Sequence, residues 1–141
     1  MSDVLSVGII GSGGIARSHI QAIKENDNIR LAAVMDVDPN RAESLAKENN
    51  VRAYTRVDAL LDDPEVEAVH VCTPHVFHGE HVVASAKAGK HVLVEKPMAL
   101  TLKECDEMIQ ACEAEGKILM VGQVMRYGPM NRTIKKMIAE G

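Results

Sequence analysis

Aromatic residues are nearly missing from this chain. It has no tryptophan, one phenylalanine and two tyrosines, 2% of the sequence. A surface that stacks nucleobases needs several such rings. No basic run is present either, and 16 Lys and Arg against 20 Asp and Glu give a formal net charge of -4. Nucleic acid is therefore not an expected partner. Cysteine is scarce: Cys72, Cys105 and Cys112 are odd in number and form no C-x-x-C pair. They do not make a disulfide framework and are read as reduced thiols of a cytoplasmic protein. No apolar run approaches the roughly 18 residues of a membrane-spanning helix, so no membrane is expected. The opening MSDVLSVGII carries an acidic Asp3 and no basic segment, which argues against a signal peptide. No internal repeat or low-complexity stretch is visible.

What the chain does have is apolar residues in short, regularly spaced runs. Hydrophobic residues fill 46% of its 141 positions and charged ones 26%, the balance of one domain able to bury a core. Residues 4–10, 30–35, 68–72, 91–94 and 118–121 read as strands rich in Val, Ile and Leu, with a shorter strand at 51–54. Residues 15–24, 41–48, 57–61, 78–88 and 102–115 carry helical periodicity, and Gly89 and Gly116 close the last two. Apolar strands each followed by a helix predict an α/β fold. Its sheet is doubly wound and mainly parallel, with helices on both faces. Right-handed crossovers then give the strand order 3-2-1-4-5-6 of dinucleotide-binding domains. Thr101 and Glu104 have capping-box spacing ahead of the apolar stripe Leu102, Cys105, Met108, Ile109 and Cys112, which places both cysteines in the core.

The first strand runs into Gly11, Ser12, Gly13, Gly14, Ile15 and Ala16, a G-x-G-x-x-A sequence. Gly11 permits a tight turn, Gly13 leaves room for a pyrophosphate, and Ala16 lets the helix approach the sheet. The helix start offers free N–H groups and a positive dipole end to phosphates. Glycine-rich turns are common, so context decides. Here a strand precedes, a helix follows, and Asp36 ends the second strand 20 residues beyond Ala16. A carboxylate there takes the ribose hydroxyls and repels a 2′-phosphate, which favours NAD over NADP. Val37 beside it joins the expected contact set. Arg41 is able to reach a 2′-phosphate, so NADP stays possible. Asp38 before Pro39 is expected to be only a helix cap.

Parallel strands deliver their carboxyl ends to one crevice. Cys72, Thr73, Pro74 and His75 should therefore lie beside the glycine loop, with Pro74 offering an apolar surface to the nicotinamide half. His75, His78 and His81 do not have the spacing of three metal ligands, and no metal is expected. His75 or His78 is read instead as lining the crevice. The fifth strand ends in Glu95, Lys96 and Pro97. An ammonium at that edge can polarise a carbonyl or share a proton with an alcohol. Glu95 is able to hold the lysine or the cofactor ribose, and Pro97 fixes the backbone, with a cis bond as one means.

GSGGIA, Asp36, CTPHVFH, VEKP and the later GQVMRYGP together resemble the Gfo/Idh/MocA oxidoreductase family. The resemblance runs from about Val4 to the end of the chain. It implies NAD(P)-dependent hydride transfer at a secondary alcohol or ketone of a sugar, polyol or related compound. It also implies cofactor contacts from Gly11, Ser12, Gly13, Ile15 and Asp36. Thr73, Pro74, His75 and His78 would line the nicotinamide half, Glu95 would touch the cofactor, and Lys96 would be catalytic or orient the substrate. Gln123 and Arg126 would lie where family members close over the cofactor.

Members of that family resemble two-domain proteins whose second domain adds an Asp and a His near the substrate. Residues 1–141 are accordingly expected to be the dinucleotide-binding domain. Its core would be about 1–124, with 125–141 as a linking segment and helix toward a substrate domain. Such a domain binds cofactor but is catalytically incomplete by itself. The alternative is a non-catalytic NAD(H)-binding module or a split subunit. Met130, Ile134, Met137 and Ile138 form an apolar stripe on the final helix, from which a homodimer is expected.

Overall fold

A computed structural model describes residues 4–141; Asp3 and the reading built on it lie outside the described residues. Six strands form one sheet: β1 (Leu5–Ile10), β2 (Ile29–Met35), β3 (Arg52–Tyr54), β4 (Ala68–Val71), β5 (His91–Val94) and β6 (Leu119–Val121). The order is β3-β2-β1-β4-β5-β6 and every pairing is parallel. This is the expected doubly wound topology. The order reverses between β1 and β4, and a crevice opens there beyond the carboxyl ends of the strands.

Helices α1 (Gly14–Lys24) and α2 (Pro39–Asn49) cover one face. Ala16, Ile20 and Ile23 of α1 pack with Leu45 and Ala46 of α2 on Val7, Ile9, Val34, Ala68 and Cys72. Helices α3 (Val57–Leu61), α4 (His78–Lys87) and α5 (Leu102–Ala114) cover the other. There Leu60, Val82, Ala86, Met108 and Cys112 meet Ile10, Met35, Val69, Val71, Val92 and Val94. Strand side chains alternate between the two covered faces, so the buried strands are mainly apolar, with Ser6 in β1 and His70 in β4 among the polar exceptions.

The ends of the helices are set by local chemistry. Asp38 accepts the Asn40 N–H at 2.9 Å, and Pro39 occupies the first helical turn of α2. Thr101 and Glu104 form the expected reciprocal capping box. Its apolar stripe is only partly buried: Met108 and Cys112 are in the core, Cys105 is intermediate, and Leu102 and Ile109 are exposed. Helix α5 sits at the margin of the sheet, where β6 is three residues long, so the sheet covers less than the whole stripe.

Beyond β6, residues Val124–Tyr127 make a short 3-10 turn, and α6 (Pro129–Glu140) follows. No residue of α6 is buried, and Met130, Ile134, Met137 and Ile138 all face outward from the domain. No helix among the described residues is long and apolar enough to cross a membrane.

Candidate functional site

The glycine loop links β1 to α1. Gly11 has φ +94°, and a Cβ on it would come within 3.0 Å of the Cys72 carbonyl carbon and oxygen. Only glycine fits there. Gly13 differs: it is the N-cap of α1, with φ -71° and ψ -173°, and a Cβ on it would meet nothing within 4 Å. The protein itself therefore does not require glycine at 13. The Ala16 N–H donates to the Gly13 carbonyl at 3.1 Å, and no side chain caps the helix, which leaves the Gly14 and Ile15 N–H groups for an anion.

Asp36 locks this loop to the end of β2. Its Oδ2 accepts the Ser12 N–H at 2.8 Å, and its Oδ1 accepts the Asp38 N–H at 3.0 Å. The residue is 8% exposed. A carboxylate has about four lone-pair sites, so two remain for ribose hydroxyls. Arg41 lies at the mouth, 3.6 Å from Asp38 Oδ2 and well exposed.

Gly11, Gly13, Gly14, Ile15, Asp36, Val37, Arg41, Cys72, Thr73 and Pro74 all line one cleft of about 410 Å³. Met35, Val57, Phe77 and His81 complete its wall. A further hollow of about 540 Å³ adjoins it, sharing Met35, Val37, Val57 and His81. The sequence reading missed those wall residues. The spacing of His81 excludes it only as a metal ligand. Its Nδ1 instead lies 3.0 Å from Thr73 Oγ1, at the edge of the cleft.

Other predicted residues fall elsewhere. Ala16 is fully buried under the loop. His78 is 0% exposed, so it stands behind the wall rather than on it. Its Nδ1 faces the Pro97 carbonyl at 2.9 Å and its Nε2 the Thr73 carbonyl at 3.0 Å. The ring ties the segment after β4 to the segment after β5. His75 is exposed in the 3-10 turn before α4 and meets His78 edge-on at 5.5 Å. Lys96 and Pro97 are exposed beyond β5, and the Lys96–Pro97 bond is cis. The Glu95 carboxylate turns inward, away from the lysine ammonium, and takes His19 Nε2 at 2.9 Å. Gln123 and Arg126 are exposed past β6 and do not border the cleft. Cys72 is buried, and burial with the nearby Glu95 charge pushes its thiol up to about 12. Among the described residues, no three His, Cys, Asp or Glu side chains are grouped to hold a metal ion.

A Gly13 that the fold does not need, helix-start amides without a side-chain cap and a ribose-ready Asp36 at a topological switch point define a dinucleotide-binding α/β domain. The family model described as "Oxidoreductase family, NAD-binding Rossmann fold" matches residues 5–123. The chain belongs to this family, Gfo/Idh/MocA, and is its NAD-binding Rossmann domain. It is 37% identical over 133 residues to 2,7-anhydro-N-acetylneuraminate hydratase of Mediterraneibacter gnavus, covering 94% of this chain and 35% of that protein. It is 36% identical over 140 residues to inositol 2-dehydrogenase of Paracoccus denitrificans, covering 96% and 42%. The solved WlbA dehydrogenase from Bordetella pertussis, in complex with NADH and UDP-GlcNAcA, superposes with a TM-score of 0.96. Its identity is 27%, and the match covers all of this chain and 41% of that one. A 3-ketoreductase from Actinomadura kijaniata, in complex with NADP and TDP-benzene, gives 0.93 at 27% identity over 99% and 43%. The chain thus spans roughly two-fifths of the length of these relatives.

Proposed function

We propose that this domain holds NAD(H) in the cleft and presents Lys96 to the secondary alcohol or ketone of a sugar, polyol or related compound. The observation that carries the reading is convergence. The glycine loop, Asp36, Thr73-Pro74 and Glu95-Lys96-Pro97 all follow the carboxyl ends of neighbouring parallel strands. When bound, the nicotinamide supplies the hydride acceptor or donor. The chain's own residues do the rest. The α1 amides and Gly13 accommodate the pyrophosphate. Asp36 accepts from the ribose hydroxyls and repels a 2′-phosphate, so NAD is preferred, while Arg41 allows weaker NADP binding. The Lys96 ammonium polarises a substrate carbonyl or shares a proton with a hydroxyl.

Substrate choice and the remaining acid–base groups belong, on this reading, to a further domain reached through residues 125–141. The uncovered apolar side of α6 supports that division. So does the naming of one relative as a hydratase and another as a dehydrogenase: the overall reaction varies while this cofactor domain is retained. The three free thiols fit a cytoplasmic protein. The α6 stripe also supports a homodimer of the 141-residue chain; a monomer at high concentration in sedimentation would contradict that.

The test is a fluorescence titration of the chain with NADH and then NADPH. Saturable binding that favours NADH is expected. Absence of binding to either would refute the reading. A non-catalytic NAD(H) module shares the cofactor result but gives no reason for Lys96. Turnover regained on mixing with a separately expressed substrate domain would separate the two.

A further inference from the structure

Directly beneath the glycine loop lies a cluster that the proposed function does not use. His19 projects from α1 toward His70 of β4 and Glu95, the first residue after β5. Its Nε2 is 2.9 Å from Glu95 Oε1, and its Nδ1 is 3.1 Å from His70 Nδ1. The other carboxylate oxygen, Glu95 Oε2, accepts the backbone N–H of Lys96 at 3.1 Å. The His19 and Glu95 side chains are only 13% and 12% exposed. Gly122, after β6, closes the far side: a Cβ there would stand 3.2 Å from Glu95 Oε1. Glu95 is therefore enclosed, and both its oxygens are engaged on the protein side.

The protons can be placed. A carboxylate only accepts, so His19 donates through Nε2–H. His70 stays neutral over the ordinary pH range, because burial and the neighbouring His19 pull it down to about 4. A neutral His70 donates its Nδ1–H to the free Nδ1 of a neutral His19, or accepts there from a protonated one. Either assignment satisfies every contact. Residues 51 and 76 positions apart in the chain, from α1, β4 and β5, thus form one chain of hydrogen bonds that ends on the Lys96 backbone.

We infer that His19 is a positioning residue: it holds the Glu95 carboxylate and, through it, fixes the main chain of Lys96 relative to the phosphate-binding helix. This rests on the reading of Lys96 as the substrate-facing residue. It assigns Glu95 to the protein interior instead of the cofactor. It also accounts for a largely enclosed carboxylate before the lysine: His19 supplies the donor to Oε1, which would otherwise lack a hydrogen-bond partner.

Three variants and two readouts test it in the 141-residue chain. Glutamine keeps a donor near the Nε2 position, whereas asparagine keeps one only near Nδ1. Amide hydrogen exchange is followed by NMR at Lys96 and, as a core reference, at Val69. His19→Asn and Glu95→Gln should each speed exchange at Lys96 about tenfold or more, with Val69 unchanged. His19→Gln should stay within about threefold of the unaltered chain. Nitrogen-15 spectra of the unaltered chain should show a proton on His19 Nε2, a readout that survives even if a variant fails to fold. The inference is overturned by an unprotonated Nε2. It is overturned equally by the same Lys96 exchange in all three variants, or by acceleration of Lys96 and Val69 together, which marks general destabilisation. NADH titration of the same samples separates the two claims. Failure of the unaltered chain to bind NADH refutes the proposed function and leaves the exchange result standing.

Discussion

Two glycines two residues apart should respond to alanine in opposite ways. At Gly11 the new Cβ meets backbone. It would lie 3.0 Å from the Cys72 carbonyl carbon and oxygen and 2.9 Å from Thr73 Cγ2, with φ at +94°. Left-handed backbone costs a non-glycine residue about 1–2 kcal/mol. A clash against backbone, which cannot swing aside, adds about 1–3 kcal/mol. Gly11→Ala should therefore lose about 2–5 kcal/mol of stability and roughly 8–20 °C in Tm. At Gly13 there is no such cost. The backbone is extended and nothing lies within 4 Å of the new Cβ. Loss of a favourable cap residue and gain from a stiffer unfolded chain oppose each other, leaving a net change within about 1 kcal/mol. On the proposed function, the pyrophosphate passes closest to the chain at Gly13. Crowding a close approach costs about 1–3 kcal/mol, or about 5- to 150-fold in NADH affinity. Thermal melts and NADH titrations of both variants check this. The reasoning fails if Gly13→Ala binds NADH like the unaltered chain, or if it melts as low as Gly11→Ala.

Asp36→Ala should weaken NADH by about tenfold or more and narrow the gap to NADPH, because charge-assisted hydrogen bonds are lost and a repelling charge removed; calorimetric titration with both cofactors decides. At pH 8, Ellman's reagent should modify the half-buried Cys105 well before Cys72, whose thiol is pushed up to about 12 and is buried; mass spectrometry of partly labelled protein would contradict this by finding Cys72 modified first. His70 is held neutral down to about 4, whereas in the unfolded chain it takes a proton near 6.5. Its contribution to stability is present above about pH 6.5 and lost as pH falls toward 4, about 3 kcal/mol in all. Denaturant titrations should show the chain losing about 3 kcal/mol more than His70→Phe between pH 6.5 and pH 4, so the acid slope is flatter in the variant; parallel slopes would refute the assignment.

Much of this molecule is legible in its sequence because the signals are local. The strand order follows from apolar runs separated by helical segments, and the Thr101–Glu104 box from two residues three apart. Gly11 and Asp36 are legible because the glycine loop, with an acid at the end of the next strand, is a recurrent solution to one problem, bringing backbone N–H groups up to phosphate. Other features depend on separation in space. The helical stripe of α5 marks a buried face but not how far the sheet extends beneath it, so Leu102 and Ile109 are exposed. His78 stands one helical turn from His75 and was expected on the cleft wall, yet the carbonyls of Thr73 and Pro97 draw it behind the wall. The His19–His70–Glu95 contact joins three distant segments. Its one sequence signal is His70 itself, a polar residue inside the apolar strand AVHV, which required a partner that the sequence does not name.

The His78 ring has a mechanical consequence. It lies between the Thr73 and Pro97 carbonyls and braces Thr73-Pro74 and Lys96-Pro97 together as one jaw of the crevice. The opposing jaw is the glycine loop, itself pinned by Asp36 to the end of β2. Each side of the crevice is thus cross-linked to a neighbouring strand end, which favours a preformed cleft over one assembled on binding.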